Sequence, residues 1–147
     1  LLERSEALRH RLTELLDEDV RAYTAVSKAY KMPRETEEQK QARSKAIQEA
    51  LKEATLVPLQ VAEACVEVLD LCAPAAEKGN VNAVSDAGVA VVLAEAGLRS
   101  AALNVLINLG WIKDEKFIAE KRRQLDELLA GKAQMKEEIY NFVVEKL

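Results

Sequence analysis

The sequence predicts an all-α protein, an antiparallel bundle of long helices around a buried central helix. Aromatic residues make up only 4% of the 147 residues, while the helix formers Ala, Leu, Glu and Lys are abundant. Four long stretches have helical periodicity and short connections, which favours antiparallel neighbours. Because a chain of this length that is 49% apolar can bury one core, residues 1–147 are expected to form a single domain.

The first two helices are bounded by recognisable signals. An apolar stripe from Leu8 to Tyr30 marks the first helix, over 1–31, and Pro33 disfavours helix at the preceding residue, Met32. Thr36 with Gln39 matches a capping box for a second helix over 37–78. Pro58 predicts a kink or a break inside that second helix.

The third stretch, 84–109, is apolar nearly all round and is therefore predicted to be the buried central helix. Gly110 is expected to close it in the C′ position, and Asp114 to cap a fourth helix that runs to about 146 with a weak point at Gly131. A helix that is apolar on every side needs more cover than three neighbours supply. We therefore expect a homodimer, an additional segment upstream of Leu1, or both.

Composition excludes several classes of function. With a net charge of −4, the chain is a poor nucleic-acid binder. No uncharged apolar span of membrane length is present, and no signal peptide is visible, so we expect a cytoplasmic protein without a membrane partner. Cys65 and Cys72, seven residues apart on one helix, are predicted to be core thiols, because their spacing of roughly 10 Å is too wide for a disulfide. With a single histidine and no C-x-x-C pair, no metal site is expected.

Polar residues in apolar settings are the candidates for function. Asp19 falls on the core stripe of the first helix, where a carboxylate is costly unless it is paired. Small and polar residues share one face of the third helix: Asp86, Ala90, Gly97, Ala101, Asn104 and Asn108. That face suits a ligand groove, although a rim position for Asp19 and close helix packing on the third helix would explain the same pattern.

Distance limits what these residues can do together. Asp86 and Asn104 are separated by roughly 27 Å along one helix, so they cannot both contact one reacting carbon within one subunit. Either they serve opposite ends of a long ligand, or a two-fold dimer brings them to different sites. Glu95 and Arg99 are predicted to form an i, i+4 pair on the opposite side of the helix.

The same residues carry a resemblance to a known family. The segments 19–23, 57–59, 79–90 and 101–109, which include G-N-x-N-A-x-S-D and N-V-x-I-N, resemble the formiminotetrahydrofolate cyclodeaminase family, which also includes methenyltetrahydrofolate cyclohydrolases. The sequence lacks the Gly-rich segment that family members carry on an earlier helix beside the folate. The resemblance therefore implies that such a segment precedes Leu1.

The resemblance implies a helical homodimer with a tetrahydrofolate derivative in a groove near the subunit interface. Members of that family either close 5-formiminotetrahydrofolate to 5,10-methenyltetrahydrofolate with release of ammonia or hydrolyse the methenyl compound. We take the closure reaction as the first hypothesis. We assign Asp19 and Asp86 to catalysis. The residues expected to bind substrate are Tyr23, Ser85, Asn104 and Asn108.

The reactions that the resemblance implies require no metal or redox cofactor. The resemblance also implies a formiminotransferase as a protein partner. A non-catalytic helical interaction module is the alternative from another class of function. The polar face of the third helix argues against that alternative, because a purely structural bundle would fill such a face with Leu and Ile.

Overall fold

The computed structural model describes the backbone of residues 1–147 and every side chain except that of Val81. The described chain is helical and consists of α1 (Leu2–Tyr30), α2 (Glu37–Lys78), a single 3₁₀ turn (Val81–Ala83), α3 (Val84–Leu109), α4 (Glu115–Leu129) and α5 (Lys132–Lys146). The all-α prediction is confirmed. The bounds of the first three helices agree with the sequence analysis to within one residue at each end.

The long helices α2 and α3 form the central pair and share the largest interface in the molecule. Helix α1 packs on α2, while α5 packs on α3 and α2. One half of the core surrounds Leu69 and Leu98, and the other surrounds Leu59 and Val105. Because α1 and α5 cover different sides of the central pair, part of α3 remains uncovered.

The predicted helix starts are confirmed in detail. Thr36 Oγ1 accepts a hydrogen bond from the Gln39 backbone N–H at 3.2 Å, and Gln39 Oε1 accepts one from the Thr36 N–H at 3.2 Å. This is the complete capping box. Asp114 Oδ1 accepts a hydrogen bond from the Phe117 N–H at 3.1 Å and caps α4. Both caps satisfy backbone donors that lack a partner inside their own helix.

Three expectations about helix interruptions need correction. Of the kink or break expected at Pro58, the break does not occur, because α2 continues to Lys78 and includes a second proline, Pro74. Gly110 ends α3 with φ −62° and ψ −20°, in the right-handed region rather than the left-handed conformation typical of a C′ glycine. Gly131 is more than a weak point, because its φ of 72° divides the last stretch into α4 and α5.

The central helix α3 is only partly buried within one chain. Val91, Leu98 and Val105 are almost fully buried, whereas an exposed apolar set runs along its other sides: Val89, Val92, Leu93, Leu103 and Ile107. One chain therefore leaves part of this helix uncovered, as expected for a helix that is apolar on every side. By length and composition α3 could span a membrane, but the core helix of a soluble protein passes the same test, and α3 contacts α2, α4 and α5.

Candidate active site

A long groove lies between α1 and α3, which both flank α2. The structure divides it into two adjoining cavities of about 380 Å³ and about 520 Å³. Residues of α2 around Pro58 form the base of the groove, and the facing sides of α1 and α3 form its walls. Both volumes are in the range of small-molecule sites.

The first cavity is rich in aromatic and amide side chains. Its lining comprises Asp19, Tyr23, Val26, Tyr30, Leu51, Ala54, Pro58, Asn104, Ile107, Asn108 and Trp111. The second is lined by Arg9, Leu12, Thr13, Leu15, Leu16, Asp19, Pro58, Val61, Gly97, Ser100, Ala101 and Asn104. Only Asp19, Pro58 and Asn104 contribute to both cavities, so the carboxylate and the amide lie where the two cavities meet.

Asp19 is exposed rather than part of the core, which corrects its predicted place on the buried stripe. Helix α1 covers α2 through residues such as Leu8 and Leu15, and the side of α1 that carries Asp19 borders the groove instead. Among the described residues, Asp19 forms no hydrogen bond or ion pair. Its carboxylate is available to a ligand, as a catalytic base or an orienting group must be.

The two predicted asparagines differ in their surroundings. Asn104 is exposed in the groove, and its amide forms no hydrogen bond among the described residues. The Asn108 side chain donates a hydrogen bond from Nδ2 to the carbonyl oxygen of Ala54 at 3.0 Å. Asn104 therefore retains its full capacity to donate to and accept from a ligand, whereas Asn108 retains its carbonyl oxygen.

Ser85 and Asp86 lie apart from this groove. Ser85 lines a separate, apolar cavity of about 330 Å³ between α3 and α5, together with residues that include Val89 and Tyr140. Asp86 is exposed and lines none of the described cavities. One chain therefore does not bring Ser85 and Asp86 together with Asn104, which agrees with the separation expected along one helix.

Sequence reasoning missed three residues of the groove. Trp111, the only tryptophan in the chain, follows the end of α3 and is 66% exposed. Tyr30 had been placed on the buried stripe of α1 but is 45% exposed, and the buried residue at that end is Ala29. Arg9 lines the second cavity, and no sequence pattern singled it out. Their shared position on one groove depends on the approach of α1 and α3 to α2, which the sequence pattern does not reveal.

A buried carboxylate on α3 belongs to another face. Glu95 is buried and pairs with Arg99, so the predicted i, i+4 pair is confirmed. The pair borders a cavity of about 500 Å³ beside the junction of α4 and α5. Since Glu95 is neutralised by Arg99 and lies away from Asp19, we assign it to packing rather than to the groove.

The two cysteines are core thiols, as their spacing on one helix predicted. Cys65 and Cys72 are both buried and free, and burial raises the pKa of each thiol. Raised pKa values make these thiols poor nucleophiles. In the part of the chain that the structure describes, no group of three or more His, Cys, Asp or Glu side chains could hold a metal ion.

The fold and the groove together define a helical protein with a ligand site between its helices, where a carboxylate and an amide meet. Comparison with known proteins identifies the family of this protein. The family model described as Formiminotransferase-cyclodeaminase matches residues 1–127, and the chain belongs to this enzyme family. The family predicted from the sequence motifs is confirmed.

Curated relatives differ in their named activities. The chain is 50% identical over all 147 residues to a methenyltetrahydrofolate cyclohydrolase of Methylorubrum extorquens, and covers 71% of that protein. Over 119 residues, 81% of this chain, it is 40% identical to the formimidoyltransferase-cyclodeaminase of Sus scrofa, of which it covers 22%. The chain therefore corresponds to less than a quarter of that longer enzyme.

A solved structure also matches. The crystal structure of formiminotetrahydrofolate cyclodeaminase from Thermotoga maritima superimposes with a TM-score of 0.73 at 34% sequence identity. The match covers 99% of this chain and 66% of that chain. The likeness therefore extends over nearly all of the helical architecture described above.

Proposed function

We propose that the chain acts on the one-carbon unit of a tetrahydrofolate derivative, and that it hydrolyses 5,10-methenyltetrahydrofolate. The junction of the two cavities at Asp19 and Asn104 carries the proposal, because it offers a carboxylate and an amide midway along an elongated groove. The 50% identity over the whole chain to a methenyltetrahydrofolate cyclohydrolase favours hydrolysis. This order reverses that of the sequence analysis, which placed the cyclodeaminase first.

The proposed chemistry needs only proton transfer and positioning. A water molecule adds to the carbon between N5 and N10, while Asp19 accepts a proton from that water. Asn104 donates a hydrogen bond that orients the folate. Asp19 returns its proton to N5 as the bond between N5 and the tetrahedral carbon breaks. The hydroxyl group on that carbon releases its proton to solvent and becomes the carbonyl of the N10-formyl product. Holding the water and the carbon in contact supplies a further part of the rate enhancement.

Closure of 5-formiminotetrahydrofolate is the second candidate, supported by the match over 99% of the chain to a formiminotetrahydrofolate cyclodeaminase. In that reaction N10 attacks the formimino carbon, Asp19 accepts the N10 proton, and the amine leaves as ammonia. The two candidates pass through similar tetrahedral carbons, so one groove could serve either. Under this candidate a formiminotransferase would supply the substrate. In neither reaction is a carbon atom oxidised or reduced, and we propose no resident metal or redox cofactor.

A homodimer is part of the proposal. The exposed apolar side chains of α3, such as Val89, Leu93 and Leu103, would be covered by a second copy. A two-fold partner could also bring its own Asp86 and Ser85 to a groove that one chain leaves without them. We further propose that the protein is cytoplasmic.

Two assays on the full-length protein separate the candidates. A cyclohydrolase consumes the absorbance of supplied methenyltetrahydrofolate and releases no ammonia from the formimino compound. A cyclodeaminase generates that absorbance from 5-formiminotetrahydrofolate together with ammonia. If no tetrahydrofolate derivative binds at millimolar concentration, both enzyme proposals fail and an interaction module takes their place.

A further inference from the structure

The two ends of the groove differ in chemistry. At one end Tyr23, Tyr30 and Trp111 line the first cavity, and they are 74%, 45% and 66% exposed. Exposed aromatic side chains gathered on one cavity are unusual for a protein surface, and their flat faces can stack on a planar ring. This end of the groove therefore suits a flat heterocycle.

The other end carries a guanidinium group that is paired with one carboxylate but keeps one nitrogen free. Among the described residues, Arg9 is the only cationic side chain that lines either cavity. Its Nε and Nη2 atoms donate to the carboxylate of Glu6, the shortest contact being 2.8 Å, while Nη1 forms no hydrogen bond among the described residues. The free edge of the guanidinium can donate to a second carboxylate.

Two cations near the aromatic end are engaged by other groups. Arg43 donates to the carbonyl oxygen of Tyr30 at 3.0 Å, and Lys52 pairs with Asp114 at 2.6 Å. Neither lines the groove. Among the described residues that line the groove, a ligand carboxylate therefore finds a cationic partner at Arg9.

From this asymmetry we propose that the groove binds its folate in one direction, with the pterin stacked among Tyr23, Tyr30 and Trp111 and the glutamate tail at Arg9. The inference rests on the proposed function. It also places the reacting carbon, because N5 and N10 lie between the pterin and the tail. Asp19 lies roughly 15 Å along α1 from Arg9 and roughly 17 Å from Tyr30, at the middle of the groove.

A ligand with an altered tail tests the direction. Binding of 5-formyltetrahydrofolate is compared with that of its diamide, in which both tail carboxylates are amides, by calorimetry on the full-length protein. Arg9→Gln is expected to weaken binding of the carboxylate ligand about tenfold and to leave the affinity for the diamide unchanged. Trp111→Ala is expected to weaken binding of both ligands by similar factors. Arg4→Gln makes the same charge change on α1 outside the groove and should affect neither ligand.

The outcomes separate this inference from the proposed function. If Arg9→Gln weakens both ligands equally, or neither, the tail does not reach Arg9 and the direction is wrong. If Trp111→Ala leaves both affinities unchanged, the pterin does not stack at the aromatic end, and the direction is again wrong. If the unaltered protein binds neither ligand, the proposed function itself has failed.

Discussion

Asn108 donates a hydrogen bond, 3.0 Å long, to the carbonyl oxygen of Ala54, which is the helical acceptor that Pro58 leaves without a donor. In a regular helix the N–H of residue 58 would bond to this carbonyl, but proline has no N–H. The side chain of α3 thus replaces a missing backbone bond of α2. This relationship explains how α2 passes through Pro58 without a break.

We expect Asn108→Ala to lower the free energy of unfolding by about 1–3 kcal/mol, because it leaves the carbonyl of buried Ala54 without a partner. In a Pro58→Ala background, which restores the backbone donor, the same change should cost less. Chemical denaturation of the four proteins gives the coupling between the two residues. Equal losses in both backgrounds would show that Asn108 does not compensate for the proline.

Asp19 should be needed for turnover but not for folding. We expect Asp19→Asn to lower kcat at least about tenfold, equivalent to about 1.4 kcal/mol of barrier, because the amide cannot accept a proton from the nucleophile. The thermal midpoint should stay unchanged, since Asp19 is exposed and forms no bond among the described residues. Asp17→Asn, an exposed neighbour outside the groove, is the matched control. Normal turnover of Asp19→Asn would remove it from the mechanism.

Asp86 acts, on our proposal, in the groove of a second copy. Asp19→Asn and Asp86→Asn proteins should each lose activity, whereas mixing equal amounts after dissociation should restore about a quarter of the sites. The restored sites are those that combine two unaltered residues in a mixed dimer. The turnover rate of the mixture is measured, and light scattering establishes whether the protein is a dimer. A monomer of full activity would contradict both the dimer and this role.

At acid pH the Lys52–Asp114 ion pair should no longer contribute to the stability of the folded protein. A hydrogen bond from Lys52, with a second from the Phe117 N–H, holds the pKa of Asp114 below its ordinary value of 3.8. A lowered folded-state pKa adds stability above the unfolded-state value, and that stability is lost as the pH falls through the folded-state pKa. Asp114→Asn keeps a capping acceptor but loses the ion pair.

The unfolding midpoints of the native and Asp114→Asn proteins should therefore differ at neutral pH and converge as the pH falls below 3.8. Thermal unfolding over a series of pH values provides the comparison. A difference that is constant across the series would mean that the carboxylate charge contributes nothing to stability.

Helix positions could be predicted because their causes are local. The capping box at Thr36, the cap at Asp114 and the apolar period of α3 are each encoded within a few residues. At Pro58 the sequence pattern was misjudged because a distant residue intervenes. Pro58 predicts a break when α2 is considered alone, and the Asn108 side chain that compensates for it lies fifty residues further along the chain.

The sequence by itself determined the first three helices, the family and four of the groove residues, Asp19, Tyr23, Asn104 and Asn108, because helical periodicity and ordered motifs depend on spacing along the chain. Only the tertiary structure decided that these four share one groove, that Ser85 and Asp86 lie outside it, and that Trp111 and Arg9 mark its two ends. The physical reason is that a groove forms where two helices flank a third. Which side chains face it depends on how those helices pack, and no local pattern specifies that packing.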